Sequence, residues 1–302
     1  MTLASCDSRK TAGENPFFTE WDTPHGVPPF DKILPEHFMP AFERGMSLHE
    51  AEIDAITSNK DEATFENTIL AYDNAGQMLA QTELVFGMLC AAETNDRMQA
   101  LQEQAMPLLA AHRDKIRLDD KLFVRVKEVY DRRAALGLDA EQMRLLQKTY
   151  DSFVRAGALL DAEQKARLKE INGQLSLTAV KFGNNILAEN NNFVLELKSD
   201  ELDGLPAGIR DAAREKAQQM GKGDKWVFTL HKPSLIPLLT YSTRRDLREK
   251  IYKAYLNRCN NGDEYDNKQL INDFIRLRTE KAHLLGYPSY AAYVVADEVA
   301  GT

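Results

Sequence analysis

The sequence predicts a mainly α-helical protein with one small β element. Over most of the first 190 residues, apolar residues recur every three or four positions, which is the period of an amphipathic helix. The pattern changes at residues 193–197 and 226–230, where short strand-like segments alternate or are rich in aromatic and β-branched residues. Glycine and proline punctuate the helical runs. We therefore expect a multi-helical protein in which the two short strands pair beside the helices.

The composition is that of a folded, acidic protein. Hydrophobic residues make up 43% of the chain and charged residues 28%, so enough apolar surface exists for a core. The net charge of -8 argues against a nucleic-acid-binding protein, which would usually carry a basic face. No apolar run approaches the length of a membrane-spanning helix. These features favour a soluble protein with no nucleic-acid partner.

Three widely spaced cysteines do not form a disulfide framework or a metal knuckle. Cys90 lies in an apolar helical run and is predicted to be a buried small hydrophobe, while Cys259 lies beside a turn and receives no role. Cys6 differs, because Leu3-Ala4-Ser5-Cys6 matches the bacterial lipobox and a polar stretch follows it. The charged start and apolar stretch of a signal peptide do not precede it. Two alternatives stay open: a lipid anchor at Cys6 with a location at the cell envelope, or a chance match in a cytoplasmic protein.

The predicted elements follow in order after a flexible tail over residues 1–15. Residues 21–35 are rich in proline and glycine and should be extended. A helix opens at Pro35 with Phe38, Phe42 and Met46 on one face. The next starts at Thr64 and runs to about residue 92. Further helices are predicted over residues 95–117 (kinked at Pro107), 120–135, 139–160 and 165–187.

The second half of the chain begins with the predicted strands, a turn over residues 202–206 and a helix over residues 208–219. A turn and three helices follow the second strand. Thr243 is predicted to cap the first, and Asn260-Asn261-Gly262 to end it. Gly286 and Pro288 stop the second, and Ser289 can cap the third. The second of these helices is expected to bury Leu270, Ile271, Phe274, Ile275 and Leu285.

Several strings, all in one order, resemble a single family. They are Asn15-Pro16-Phe17, Thr64-Phe65-Glu66-Asn67-Thr68-Ile69, Leu202-x-Gly204-Leu205-Pro206, Tyr241-x-x-x-Arg245-x-Leu247-Arg248-x-x-x-Tyr252-x-Ala254-Tyr255 and Arg278-x-x-x-Ala282-x-Leu284-Leu285-Gly286-Tyr287. The chain resembles the zinc metallopeptidases that include oligopeptidase A, thimet oligopeptidase and bacterial peptidyl-dipeptidase, and it is most similar to the peptidyl-dipeptidase branch.

The resemblance implies that residues 16–302 form the helical N-terminal lobe of a two-lobed enzyme that encloses short peptides in a channel. A peptidyl-dipeptidase would release dipeptides from the C-terminus, with zinc-bound water as the nucleophile and a glutamate as the base. An endopeptidase of the oligopeptidase A type is the alternative within the family. Zinc is the cofactor that the resemblance implies for the full-length enzyme, and short peptides are its substrates.

The zinc motif of that family, His-Glu-x-x-His on one helix, is not present in the sequence. The nearest string is His49-Glu50-Ala51-Glu52-Ile53, and the six histidines never pair at i,i+4. We therefore assign no catalytic, cofactor-binding or metal-binding residue. The zinc-binding half is expected to be absent from this chain, which alone should be inactive. A non-catalytic helical peptide-binding protein is the alternative.

Two other strings resemble motifs but lack their context. His112-Arg113-Asp114 echoes a kinase catalytic loop without the required asparagine or a glycine-rich loop, and Gly221-Lys222-Gly223 is predicted to be a turn. A basic cluster, Arg244, Arg245 and Arg248, is either a helix surface paired with nearby acids or a group in which one arginine holds a peptide carboxylate or a neighbouring lobe. The tyrosines at 287, 290 and 293 either pack in the core or line a channel.

Overall fold

The computed structural model describes residues 14–301, so the predicted lipobox at Leu3–Cys6 lies outside the described residues. Most of this chain is helical, which confirms the mainly α prediction. The chain divides into two compact units, one of Met1–Leu177 with Thr279–Thr302 and the other of Thr178–Arg278. In the described part, no helix combines the length and the apolar character needed to cross a membrane.

The first unit consists of helices and short turns. Its α-helices are α1 (Phe38–Ser58), α2 (Ala71–Asp73), α3 (Gln77–Ala92), α4 (Asp96–Arg117), α5 (Asp120–Asp131), α6 (Ala140–Ala156) and α12 (Tyr290–Val295). Single 3-10 turns lie at Pro16–Phe18, Pro24–Gly26, Pro35–His37 and Arg133–Ala135. Two long helices, α7 (Ala162–Asn192) and α11 (Lys268–Leu284), contribute residues to both units.

Two apolar clusters form the core of the first unit. In one, Phe86 packs edge-on against Phe38 and Phe42, with ring centroids 4.9 Å and 5.3 Å apart. This placement confirms the predicted inward face of α1. In the other, helices α5 and α6 bury Val126 and Phe153. Cys90, predicted to be buried, is half-buried at the edge of the first cluster.

The predicted helix from Thr64 to about residue 92 is interrupted. It begins as a π-helix, Phe65–Leu70, continues for one turn as α2 and breaks before α3. The break occurs at Gly76, whose φ of +76° lies in the left-handed region that glycine adopts most readily. Apolar spacing alone did not reveal this break, because apolar residues resume at once in α3.

The second unit contains the small sheet. Strands β1 (Leu195–Leu197) and β2 (Trp226–Phe228) pair as predicted, and their arrangement is antiparallel. Leu195 faces Phe228 across the pair. The helices around the sheet are α8 (Ala207–Gln219), α9 (Lys232–Tyr241) and α10 (Arg245–Leu256), and a 3-10 turn lies at Ser199–Glu201. Leu197, Leu238 and Ile251 are fully buried in their shared core.

The segment that forms α9 was predicted to be a turn between the second strand and the last three helices, so that prediction was wrong. Pro233 stands in the first helical turn, where a missing N–H costs nothing. Pro237 lies inside the helix. With α9 in place, Thr243 does not cap α10 as predicted; its hydroxyl donates a hydrogen bond of 2.5 Å to Asp203. The N-cap of α10 is Arg244, which makes no side-chain cap.

The ends of the last helices agree only in part with the sequence pattern. Helix α10 ends at Leu256, before the predicted Asn-Asn-Gly stop. Ser289 caps α12 as predicted, accepting a hydrogen bond from the amide of Ala292. On α11, Ile271 and Ile275 are 45% and 61% exposed rather than buried. The predicted inward face of α11 was therefore wrong at these two positions.

Candidate functional site

The candidate functional site is a pocket in the second unit, which we call the arginine pocket. Its lining residues are Leu239 of α9 and Arg245, Arg248, Glu249 and Tyr252 of α10, and its volume is about 310 Å³. Arg248 and Tyr252 follow Arg245 at helical spacing, so that all three share one side of α10. Tyr252 is 50% exposed. The pocket thus combines two guanidinium groups with an aromatic ring and an aliphatic side chain.

The three arginines of the predicted basic cluster have different surroundings. Arg244 is paired with Asp246 through two hydrogen bonds of 2.9 Å and 2.7 Å, and this bidentate contact holds the pKa of Asp246 below its ordinary value. Arg248 donates a hydrogen bond to the carbonyl of Ser242. Arg244 is therefore paired internally, whereas Arg245 and Arg248 line the pocket.

Arg245 is the pocket's most available cation. It is exposed, and within residues 14–301 we find no hydrogen-bond partner for its guanidinium. Its acidic neighbour, Glu249, is held at 2.5 Å by Lys253, and the pKa of Glu249 is lowered mainly by that hydrogen bond and only weakly by Arg245. A guanidinium with free N–H groups beside a second arginine can bind a carboxylate through two parallel hydrogen bonds.

The three tyrosines near the C-terminus form a packed group in the first unit. The ring of Tyr293 lies 5.2 Å from that of Tyr287 and 5.8 Å from that of Tyr290, measured between centroids. Arg155 lies over the Tyr293 ring and donates a hydrogen bond of 2.8 Å to its carbonyl. Burial is the main cause that raises the pKa of Tyr293. These contacts are those of packing residues, the first of the two predicted roles.

The two strings that contain His49 and His112, for which the sequence indicated no functional role, meet in the first unit. His49 on α1 and His112 on α4 are in contact through their ring nitrogens, although 63 positions separate them. No signal within either string indicated this contact. The Gly221-Lys222-Gly223 string forms a turn after α8, as predicted, with φ values of 66° and 60° at its two glycines.

The described residues do not provide a zinc site. Between residues 14 and 301, no group of three or more histidine, cysteine, aspartate or glutamate side chains is arranged to hold a metal ion. The donor set that zinc requires in a catalytic site, three protein ligands with one open position, therefore does not fit this part of the chain. We assign no zinc ligand here and derive no chemical step through the metal.

Comparison with known proteins identifies the family. The family model described as Peptidase family M3 matches residues 238–302. Dipeptidyl carboxypeptidase of Escherichia coli strain K12 is 37% identical over 289 residues, which is 95% of this chain and 42% of that protein. The chain belongs to peptidase family M3. The segment that matches the family model includes the last four residues of α9, with Leu239 among them, and all of α10. It therefore contains the lining residues of the arginine pocket.

Other family M3 relatives are less similar over the same extent. Oligopeptidase A of Escherichia coli strain K12 is 26% identical over 92% of this chain, which is 42% of that protein. The organellar oligopeptidase A of Arabidopsis thaliana is 27% identical over 99% of this chain and 38% of that protein. The chain thus spans about two fifths of the length of these relatives, and family M3 members are generally zinc metallopeptidases.

Proposed function

We propose that this chain forms the helical, peptide-holding part of a family M3 peptidase that releases dipeptides from the C-termini of short peptides. The observation that carries the proposal is the 37% identity to dipeptidyl carboxypeptidase over 95% of the chain. The lower identity to oligopeptidase A, 26%, favours the dipeptide-releasing activity over the endopeptidase alternative.

Hydrolysis in this proposal belongs to the longer protein. When zinc is bound in a peptidase of this kind, it activates a water molecule for attack on the peptide bond. The described residues lack a three-ligand metal cluster, so their part is to bind and orient the peptide. The purified chain, supplied with zinc ions, is expected to release no dipeptide from a blocked test peptide. Zinc-dependent release would contradict this division of roles.

The arginine pocket is the proposed site for the C-terminal carboxylate of the peptide. An enzyme that cleaves at a fixed distance from the C-terminus of a peptide needs a cation in a fixed position for the terminal carboxylate. Arg245 offers free N–H donors for such a carboxylate. Tyr252 and Leu239 provide apolar surface for the adjoining side chain. Arg248 adds positive charge while its hydrogen bond to Ser242 fixes its position.

Binding of a labelled peptide to the chain tests this assignment. A peptide with a free C-terminal carboxylate should bind more tightly than the same peptide with a C-terminal amide, by about tenfold or more, since the charged contact is lost in the amide. Arg245→Gln should remove most of this difference. Arg244→Gln makes the same change in charge at a residue already paired with Asp246 and should preserve it. Equal binding of acid and amide would reject the pocket as the carboxylate site.

Sequencing the coding DNA beyond this reading frame tests the wider proposal. An in-frame continuation that encodes His-Glu-x-x-His and a later glutamate is expected. A genuine stop codon would instead favour the alternative, a non-catalytic helical peptide-binding protein. The carboxylate preference of the arginine pocket would then describe that protein's ligand rather than a substrate.

We also propose lipidation at Cys6 as the basis for a location at the cell envelope. The support is the Leu3-Ala4-Ser5-Cys6 match to the lipobox. Expression of the natural reading frame in bacteria with a radiolabelled fatty acid is expected to label the protein, and Cys6→Ser should abolish the label. An unlabelled natural protein would support the cytoplasmic alternative.

A further inference from the structure

His49 and His112 join two helices of the first unit. Nε2 of His112 lies 3.0 Å from Nδ1 of His49. The rings are 5.1 Å apart between centroids and inclined by 60°. His49 lies in the second half of α1 and His112 near the end of α4. This contact is a direct polar link between helices that also share the Glu50–Lys115 ion pair and apolar packing in one core.

The distance between the two nitrogens restricts their protonation. At 3.0 Å they form a hydrogen bond, which needs an N–H on one ring and a lone pair on the other. A histidine that carries two protons presents an N–H at both nitrogens. If both rings were doubly protonated, two N–H groups and two positive charges would face each other at this distance. The contact therefore exists only while at least one of the two rings is neutral.

Burial makes the neutral state the favoured one. His112 is 5% exposed and His49 is half-buried. Moreover, Nδ1 of His112 has no hydrogen-bond partner in the described chain, although Glu50 lies 3.5 Å away. Burial is the largest cause that lowers the pKa of both histidines.

The charged groups around the pair do not reverse this effect. Glu50 favours the charged form of His112, but Glu50 is itself engaged with Lys115 at 2.8 Å. Lys115 and Arg113 both disfavour a charge on His112, and Arg113 is 3.5 Å from Glu83 of α3.

The start of α3 closes the other side of His49. Glu52 favours a charge on His49, yet its carboxylate accepts a hydrogen bond of 2.7 Å from the amide of Gly76. A Cβ at Gly76 would stand 3.0 Å from Nδ1 of His49. A side chain at this position would therefore crowd the His49 ring, and glycine leaves room for it.

We propose that the His49–His112 contact is a pH-dependent fastening of α4 to α1, closed at neutral pH and released in mildly acidic solution. Release would free the end of α4, whose Ala105 and Leu109 pack against the α1 and α3 core. The inference does not depend on peptide binding or on zinc.

The direction of the pH dependence follows from linkage. Both pKa values are lower in the closed state than in an open one, so the open state binds more protons. The stability that the contact contributes is complete above the ordinary histidine pKa of about 6.5 and is lost as the pH falls toward the lowered values. If the open state binds one proton more than the closed state, the opening constant rises about tenfold for each unit by which the pH falls. If it binds two more, the opening constant rises about a hundredfold for each unit.

Amide hydrogen exchange and denaturant unfolding between about pH 5 and pH 7 test the proposal. After correction for intrinsic exchange rates, opening of residues 105–117 should increase steeply as the pH falls, while α8 in the other unit should change less. His49→Gln and His112→Gln should each reduce the slope of the unfolding constant by about tenfold per pH unit. His283→Gln, at an exposed position on α11, is the matched control and should keep the natural slope.

An unchanged slope in a folded His112→Gln variant would overturn the proposal. If either variant fails to fold, the natural protein still provides a test by NMR. The ring signals of His49 and His112 should titrate with midpoints below about 6.5, and each should shift when the other protonates. Midpoints at or above the ordinary value, or titration of the two rings without coupling, would also overturn it.

Discussion

The side-chain amide of Asn185 on α7 donates a hydrogen bond of 2.8 Å to Oδ1 of Asn267, just before α11. Asn267 is 2% exposed. Its own side-chain amide donates a hydrogen bond to the carbonyl of Phe182. Its backbone amide donates one to the carbonyl of Cys259. This pair connects the end of α7, the loop after α10 and the start of α11 within the second unit.

Replacing Asn267 with alanine should destabilise the second unit. The change leaves the Asn185 amide buried without its acceptor and removes the additional hydrogen bond to the Phe182 carbonyl, at a cost of about 1–3 kcal/mol. Denaturant unfolding measures the loss. Asn272→Ala, at an exposed position of α11, should change stability by no more than about 0.5 kcal/mol. A loss no larger than that of the control would show that water replaces the Asn267 contacts.

Gly204 is predicted to be irreplaceable in the turn before α8. Its φ is +81°, and a Cβ there would stand 2.2 Å from the carbonyl oxygen of Tyr241. Because the clashing atom belongs to the backbone, Gly204→Ala should lower the free energy of unfolding by more than the strain of a positive φ alone would. Gly221→Ala shares a positive φ of 66° but meets open space, and should cost about 1–2 kcal/mol. In thermal unfolding, the Tm of Gly204→Ala should be well below that of Gly221→Ala. Equal losses of Tm would contradict the steric argument.

Arg125 should hold the loop between α1 and the π-helix. It is 8% exposed and donates hydrogen bonds to the carbonyls of Asn59 and Asp61 and to the side chain of Asn67. Arg125→Met leaves these acceptors without their donor, at a cost of about 2–4 kcal/mol. Loosening of the loop should also accelerate tryptic cleavage after the exposed Lys60.

The matched control for this loop is Arg144→Met, at an exposed position on α6. It removes the same charge without changing a loop contact, so cleavage after Lys60 should keep its natural rate. If both variants were cleaved at the same rate, Arg125 would not be the residue that orders the loop.

The thiol of Cys259 should react slowly. Burial, followed by the nearby Glu189 carboxylate, raises its pKa from 9.0 to about 11, and the residue is 4% exposed. The thiolate is the reacting form. Below pH 9 its fraction should therefore be about a hundredfold smaller than in the unfolded chain.

Alkylation of a Cys6→Ser, Cys90→Ser variant isolates this thiol. The rate should still be rising with pH above 9 in the folded protein, and denaturant should restore the ordinary profile. A folded-state rate that levels off near pH 9 would show that the Cys259 thiol is not shielded.

The sequence predicted the fold well where the signal is local. The two strands, the cap at Ser289 and the inward face of α1 follow from patterns a few residues long. The errors arose where distant residues decide. Asp203 binds Thr243 and removes it as a cap, and the position of Gly76 beside His49 ends a helical run that apolar spacing would have continued.

The candidate site was predictable only in part. The basic cluster was visible in the sequence. Which of its arginines is paired and which lines the pocket was not, because the pairing of Arg244 with Asp246 depends on rotamers at the start of α10. Leu239 was missed because α9 was expected to be a turn. The recurrence of Leu235, Leu238 and Leu239 after Pro233 was a helical signal that could have found it.

The π-helix at Phe65–Leu70 determines how the first unit responds to the loss of one residue. A π turn accommodates one residue more than an α turn, so deleting a single residue there would restore ordinary α geometry. The helix on either side would keep its phase, because the π turn had absorbed the additional residue. After loss of the exposed Glu66, Phe65 and Ile69, both buried in one core, would stand three positions apart, a spacing that still shares one helix face. Loss of that one codon should therefore harm the fold less than the same loss within an ordinary α turn.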